Sequence, residues 1–405
     1  MKTFQTTRRR FLIGGIQVAG CASLAPSVLA RAAHFGPAGD DRVLVVIQLS
    51  GGNDGLNTVV PFRQDEYYRG RPAISLAKNS LHRLDDDHGL HPSMGKLAEH
   101  FEEGRLAVLH GVGYPEPDRS HFRSMQIWHT ADPKTSYGAG AVRPTSGWLG
   151  RLSGQLAGTA AMPALFIGGG DLPLSLATEQ GFTPSVRDAR GFRLEEPAED
   201  FSVHRDRLLK VGGNASPNID LLRRAATSTY DAAARMQALD RDGNASDYPG
   251  SKLAKELALT ARLIAGGFGT RLFGLELGSF DTHALQVTNQ AALLGELSDA
   301  LSAFGRDLEK KGIADRVVTL VFSEFGRRAA ENASRGTDHG AGGPAFLFGE
   351  PVRGGLHGTP PDLTNLNEGD IPYTTDFRSI YTTLEKDWLG LEASTSISPA
   401  RGLFT

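Results

Sequence analysis

The run from Arg316 to Phe322 (RVVTLVF) is apolar along most of its length and is followed at once by Ser323 and Glu324. A short apolar run of this kind is typical of a buried strand. Glu324 would then lie just past the carboxyl end of a strand, which is where open α/β sheets place their ligands. His339 follows fifteen residues later in a glycine-rich loop. A carboxylate, an imidazole and two arginines (Arg327 and Arg328) near one strand end suit a metal ion or an anion.

Further apolar runs predict strands, and amphipathic segments between them predict helices. Strands and helices alternate along much of the chain, which is typical of a mostly parallel sheet. We therefore predict an α/β fold in which helices sandwich a mostly parallel sheet. The predicted strands are 42–49, 105–110, 163–168, 271–277, 316–322 and 344–348, and the predicted helices are 91–103, 120–130, 219–239, 253–265, 289–311 and 376–389.

The chain has 405 residues, of which 40% are hydrophobic, and this is enough to bury a large core. We predict a single α/β domain over residues 34–405, with a cap or insertion over residues 172–250, where the apolar pattern loosens into charged loops. The formal net charge is −3. No basic stripe indicates a nucleic-acid partner, so we expect none.

The first 33 residues hold five basic residues and no acidic residue. Within them, residues 7–12 (TRRRFL) match the twin-arginine export signal. The apolar run over residues 11–20 is too short and too rich in glycine to span a membrane. We predict that residues 1–33 are a twin-arginine signal segment and that the protein is periplasmic or secreted.

Cys21 is the only cysteine of the chain and lies inside this predicted signal. The stretch from Val18 to Cys21 (VAGC) resembles a lipobox, which would make Cys21 a lipid anchor. The favoured alternative is a small residue in the apolar region of the signal, because cleavage sites of the soluble type follow near Ala30. Removal of the signal would leave a chain without disulfides, thiol nucleophiles or thiolate ligands.

Polar side chains follow the ends of three predicted strands. Asp54 stands in a glycine-rich turn after the first strand, Asp281 and His283 follow another, and Glu324 follows a third. Each of these alone is typical of an ordinary turn. Because the carboxyl ends of parallel strands meet at one edge of a sheet, we expect them to converge with His339 on one site. Two imidazoles among carboxylates favour Zn or Mn over Mg or Ca.

Six stretches of the chain are distinctive: GGNDGLN, RSHF, GSFDTH, SEFGRR, GTDHG and DFRSIYTTLEKDWLG. Together they resemble a bacterial family known as domain of unknown function 1501, whose members often carry twin-arginine signals. The resemblance covers nearly all of the chain after the signal. More remotely, that family is similar to the alkaline phosphatase superfamily of phosphatases, sulfatases and cofactor-independent phosphoglycerate mutases.

The superfamily resemblance implies a two-metal site. Asp281, His283 and His339 match one ligand set, although Asp281 and His283 stand closer together than is usual. Asp54 and Glu324 match the carboxylates of the other set. That second set lacks an imidazole, because the usual Asp-His pair is replaced here by Glu324 followed by phenylalanine.

The same resemblance implies that Ser120, at the start of a predicted helix, is the nucleophile. Capping of that helix is the ordinary alternative for this serine. His121 stands beside it and would supply the missing imidazole if it turned toward the second set. Nearby arginines would clamp an oxyanion and so offset a weakened second metal, while solvent exposure is their ordinary alternative. These are Arg119, Arg327 and Arg328.

The sequence therefore favours an exported metal-dependent hydrolase that acts on a phosphate or sulfate ester, either a small anionic ester or an anionic glycan. The alternative is a non-catalytic member of the same fold that binds a ligand or a protein and keeps a degraded metal site. The position of Ser120 relative to the metal ligands would separate the two. An oxidoreductase with a dinucleotide is disfavoured, because no dinucleotide fingerprint is present.

Overall fold

The computed structural model describes residues 41–135, 144–156, 162–179, 183–187 and 247–405. The predicted signal segment 1–33, with Cys21, lies outside these residues. So does most of the predicted insertion 172–250, including the helix predicted over residues 219–239. Within the part that is described, no helix is long and apolar enough to cross a membrane.

A large mixed sheet forms the centre of the fold, and a small antiparallel sheet of order β2-β4-β3 lies beside it. The order of the large sheet is β11-β5-β10-β9-β1-β8-β6-β7, and β12 pairs with β5. The strands are β1 Val43–Leu49, β2 Val59–Val60, β3 His82–Arg83, β4 Gly89–Leu90, β5 Leu106–Gly113, β6 Ala164–Ile167, β7 Ser185–Val186, β8 Leu272–Leu277, β9 Val317–Phe322, β10 Gly343–Phe348, β11 Gly355–His357 and β12 Thr375–Asp376.

Helices cover both faces of the large sheet. They are α1 Gly55–Thr58, α2 Asp65–Gly70, α3 Gly95–Glu102, α4 His121–Thr130, α5 Trp148–Gln155, α6 Lys252–Ala265, α7 Gln286–Lys310 and α8 Phe377–Thr383. The helix predicted over residues 91–103 begins as a separate 3₁₀ turn, Pro92–Met94, and the predicted closing helix ends in a π-helical segment, Leu384–Trp388.

Strand β1 is apolar without interruption from Val43 to Ile47, and its position in the fold explains why. Val45 and Ile47 belong to a core formed with α6 and α7, whereas Leu44 and Val46 face the opposite core, which contains Trp128 of α4. Successive side chains of a strand point to opposite faces, so a strand between two helical layers must be apolar on both. The predicted α/β sandwich with a mostly parallel sheet is confirmed.

One edge of this sheet gathers the polar motifs. β1 is parallel to β8 and β9, so the carboxyl ends of these three strands lie side by side. β10 is antiparallel to both β9 and β5, so β10 begins where β5 and β9 end. The sequence run 344–348 did not indicate this direction. We call this side of the sheet the carboxyl edge.

Candidate metal centre

Three imidazoles converge on one carboxylate at the carboxyl edge. Asp281 follows β8, and its Oδ1 lies 3.0 Å from His283 Nε2, 3.1 Å from His339 Nε2 and 3.5 Å from His121 Nε2. The Nε2 atoms of His283 and His339 are 2.9 Å apart. His339 reaches this point because it lies in the loop that leads into the antiparallel strand β10.

The second ring nitrogen of each imidazole faces an acceptor. His121 Nδ1 lies 2.9 Å from Glu324 Oε1 and His283 Nδ1 lies 3.2 Å from Asp338 Oδ1. His339 Nδ1 donates to the backbone carbonyl of Arg119 at 2.8 Å. Carboxylates and carbonyls accept hydrogen bonds, so each Nδ1 is placed to donate one, and the Nε2 atom of each ring faces Asp281.

This arrangement of ring nitrogens around a carboxylate fits a cation. His121, Asp281 and His339 offer ligand atoms that all lie within 4.8 Å of one another. His121 Nε2 is buried and has no hydrogen-bond partner in the described part of the chain. Two ligands of a tetrahedral zinc ion are about 3.3 Å apart, as follows from bonds of about 2.0 Å, and the spacing around Asp281 is similar. We call these four residues, His121, Asp281, His283 and His339, the Asp281 cluster. The Asp281 cluster could therefore hold a metal ion.

Asp281 is held in its ionised form by Arg327. Burial alone raises the pKa of the Asp281 carboxyl, but hydrogen bonds from Arg327 and His339 outweigh it and lower the pKa to about 2. Arg327 is itself buried and donates to the carbonyls of Gly51, Gly52, Phe280 and Thr337 as well as to Asp281 Oδ1 at 2.8 Å.

These contacts indicate a role for Arg327 that differs from the one expected from the sequence. The sequence-based hypothesis has it clamp a substrate oxyanion. In the structure each of its three guanidinium nitrogens donates to the protein, and its side chain has no exposed area. Arg327 therefore positions Asp281 and joins the turns that follow β1 and β8, rather than facing a ligand.

Glu324 lies beneath the cluster and is fully buried. Its Oε1 accepts from the backbone N–H of Gly51 at 2.8 Å and from His121 Nδ1. The hydrogen bond to Glu324 raises the pKa of His121. His121 thus turns toward Glu324, one of the two carboxylates predicted for the second ligand set. Its ring reaches Glu324 and Asp281 at once.

Phe325 occupies the position where the superfamily resemblance would place an imidazole. Its buried ring packs against the rings of His121 and His339, with centroid distances of 4.9 Å and 4.8 Å. Gly52 approaches this ring so closely that a Cβ atom on Gly52 would lie 2.3 Å from it. Phe325 therefore supports two imidazoles of the cluster through packing.

Ser120 stands directly before α4, as expected, and its neighbour His121 is the first residue of that helix. Its backbone N–H donates to Asp118 Oδ1 at 2.7 Å, but its side chain makes no capping hydrogen bond. Ser120 is therefore the N-cap residue of α4, but its hydroxyl does not cap the helix. Its side chain is half-buried, and it precedes His121 of the cluster by one residue.

Asp54 follows β1 at the carboxyl edge and is 1% exposed. Its Oδ1 accepts from the backbone N–H of Leu56, and its Oδ2 accepts from Arg71 Nη1 at 2.5 Å and from Gln286 Nε2. Asp54 is not one of the residues whose ligand atoms gather at Asp281. Its role as a metal ligand stays a prediction.

Sequence reasoning missed three partners of these residues. Asp338 orients His283, and Arg71 and Gln286 hold Asp54. Asp338 had a visible signal, because it stands directly beside His339 in the glycine-rich loop. Arg119 and Arg328, the other two expected clamps, donate to Asp370 and to the carbonyl of Glu368 respectively.

Comparison with known proteins places the chain in a family. The family described as "Protein of unknown function (DUF1501)" matches residues 41–379. The chain is a DUF1501 protein. The match confirms the family resemblance of the sequence motifs. No curated protein matches this DUF1501 protein.

Solved structures with a similar fold are more distant. The lipoteichoic acid synthase LtaP from Listeria monocytogenes is 11% identical, with 90% of this chain and 75% of that chain covered and a TM-score of 0.40. The PsFucS1 sulfatase from Pseudoalteromonas sp. is 11% identical, with coverage of 91% and 73% and a TM-score of 0.41. The phosphonate monoester hydrolase of Agrobacterium radiobacter is 9% identical, with coverage of 87% and 74% and a TM-score of 0.37. At these identities none of the three lends its reaction to this chain.

Proposed function

We propose that this DUF1501 protein is an exported, metal-dependent hydrolase of phosphate or sulfate esters. The observation that carries the proposal is the convergence of the Nε2 atoms of His121, His283 and His339 on Asp281 Oδ1, with every Nδ1 facing an acceptor. A set of imidazoles around one carboxylate suits zinc or manganese better than magnesium or calcium.

The ligands are oriented by a second layer of contacts. Glu324, Asp338 and the carbonyl of Arg119 fix the three rings, as partners of metal-bound histidines commonly do. Arg327 compensates the charge of Asp281, so the positive charge of a divalent ion would not be offset by its own carboxylate ligand. Such an ion supplies Lewis-acid stabilisation of the negative charge on the transferring group. The centre would then attract an anionic ester or an anionic glycan.

Ser120 is the proposed nucleophile. Its Oγ would bond to the phosphorus or sulfur of the ester, the bond to the leaving oxygen would break, and the leaving alcohol would take the proton that Ser120 loses. Water would then cleave the seryl ester and release phosphate or sulfate. The hydroxyl of Ser120 makes no capping hydrogen bond and stands one residue before His121, which supports this role.

The proposal is tested with 4-nitrophenyl phosphate and 4-nitrophenyl sulfate in the presence of Zn²⁺ or Mn²⁺. Ser120→Ala should abolish turnover and leave metal binding intact. Ser334→Ala, at an exposed serine of the loop that precedes His339, is the matched control and should retain both. Full turnover by Ser120→Ala would show that the nucleophile is another group.

A non-catalytic binding protein is the second candidate. The observation that favours it concerns Arg327, expected to hold a substrate, and Asp54, expected to bind a second metal. Both are bonded to other groups of the protein instead. Arg327 donates to protein carbonyls, and Asp54 accepts from Arg71. This candidate predicts metal-dependent binding of an anionic ligand with no turnover of any ester in a broad panel, whether or not Ser120 is present.

A further inference from the structure

Three carboxylates meet at the carboxyl edge, and each has a nitrogen partner of its own. Asp281 pairs with Arg327 at 2.8 Å, Glu324 with His121 at 2.9 Å, and Asp54 with Arg71 at 2.5 Å. The Asp54–Arg71 pair differs from the others, because both side chains have no exposed area. A guanidinium group stays protonated under all ordinary conditions, so Arg71 is a permanent buried cation.

Arg71 follows α2 and is held on every side. Its Nε donates to the carbonyl of Ala329 at 2.8 Å, and its Nη2 donates to the carbonyl of Arg328 at 2.9 Å. Its Nη1 donates to Asp54 Oδ2 and, at 2.9 Å, to Asn57 Oδ1. All three nitrogens therefore have acceptors, and a swing away from Asp54 would strand several buried hydrogen-bonding groups at once.

Both oxygens of the Asp54 carboxylate already accept hydrogen bonds. Leu56 N–H occupies Oδ1, while Arg71 and Gln286 share Oδ2. Gln286 is itself fixed, because its Oε1 accepts from the hydroxyls of Thr282 and Thr337. A divalent ion at Asp54 would have to break these contacts and sit beside a buried guanidinium of like charge, which a low-dielectric interior disfavours strongly.

We infer that the centre takes one metal ion, not two, and that the guanidinium of Arg71 occupies the place of a second cation. The ion is bound by Asp281 with His121, His283 and His339. Arg71 permanently compensates Asp54 and ties the turn after β1 to the loop after β9, through the carbonyls of Arg328 and Ala329. This inference rests on the proposed function, since it concerns the number of ions at the same site.

Metal analysis and calorimetric titration with Zn²⁺ or Mn²⁺ alone test the inference on the full-length protein. The wild type should bind one ion per chain at saturation. Asp54→Asn should also bind one ion with affinity within about threefold of wild type, because Asp54 is not a ligand. Asp281→Ala should bind none.

Two bound ions in the wild type, falling to one in Asp54→Asn, would make Asp54 a ligand and overturn the inference while leaving the proposed function intact. No bound ion in the wild type would overturn the proposed function itself, so the two failures are distinguishable. If Asp54→Asn does not fold, the double variant Asp54→Asn with Arg71→Met removes both buried charges. It should again bind one ion, and loss of that ion would contradict the inference.

Discussion

Gly52 offers a direct test of how the cluster is supported. It lies in the turn after β1 with φ +79°, in the left-handed region that disfavours residues with a Cβ. A Cβ atom at this position would lie 2.3 Å and 2.6 Å from two ring atoms of Phe325. The ring cannot retreat easily, because it packs against His121 and His339. Gly52→Ala therefore combines backbone strain with a steric clash.

The two costs can be estimated separately. A left-handed backbone costs a residue with a Cβ about 1–2 kcal/mol. Forcing an extra methyl group into a packed interior costs about 1–3 kcal/mol more. Gly52→Ala should therefore lower the free energy of unfolding by about 2–5 kcal/mol. It should also weaken metal binding, because a displaced Phe325 ring pushes on two of the imidazoles.

Gly104 is the matched control. It has φ +75°, but within the described residues a Cβ atom there would have no neighbour within 4 Å. Gly104→Ala should cost only the backbone contribution of about 1–2 kcal/mol, with metal affinity unchanged. Urea denaturation at 25 °C measures both free energies of unfolding, and titration with Zn²⁺ measures both affinities. Equal losses of stability in the two variants would refute the packing of Phe325 against Gly52.

Three other predictions follow from the same structure. Removal of metal with EDTA should lower the melting temperature by several degrees and added Zn²⁺ should restore it, because the ion binds the folded state; an unchanged melting temperature would contradict a bound ion. Asp338→Ala should weaken Zn²⁺ affinity about 10–100-fold, measured against a chromophoric chelator, because His283 loses the acceptor that orients it; unchanged affinity would exclude that role. Burial raises the pKa of Glu256 to about 7, so the folded state binds its proton more tightly than the unfolded state, and stability should fall as the pH rises from about 4.5 to 7; Glu256→Gln should flatten that part of the stability profile, and an unaltered profile would show that Glu256 is not the group.

The sequence predicted the carboxyl edge well because the signal is local. β1, β8 and β9 are mostly apolar, and each is followed within a few residues by its polar motif. Parallel pairing then brings Asp281, His283 and Glu324 to one side of the sheet. The direction of β10 could not be predicted, since a short apolar run has the same pattern in either direction. It matters here, because it carries His339 to that edge.

The roles of the arginines and of His121 depend on long-range packing. His121 and Glu324 are 203 residues apart, and Arg71 reaches backbone carbonyls more than 250 residues away. Arg327 was expected to clamp an oxyanion because it stands three residues after Glu324, near the predicted strand end. Its burial arises from carbonyls in three different turns, which no local pattern reveals.

The central claim is that His121, Asp281, His283 and His339 bind a divalent ion. The most direct test is X-ray absorption spectroscopy, with metal analysis, on protein purified without chelators. The account predicts an ion whose spectrum shows imidazole ligands, lost in His339→Ala and retained in His357→Ala, whose histidine bonds to Arg353 on the β11 side of the sheet. Absence of metal from the wild type, or an imidazole signal that His339→Ala leaves unchanged, would contradict it.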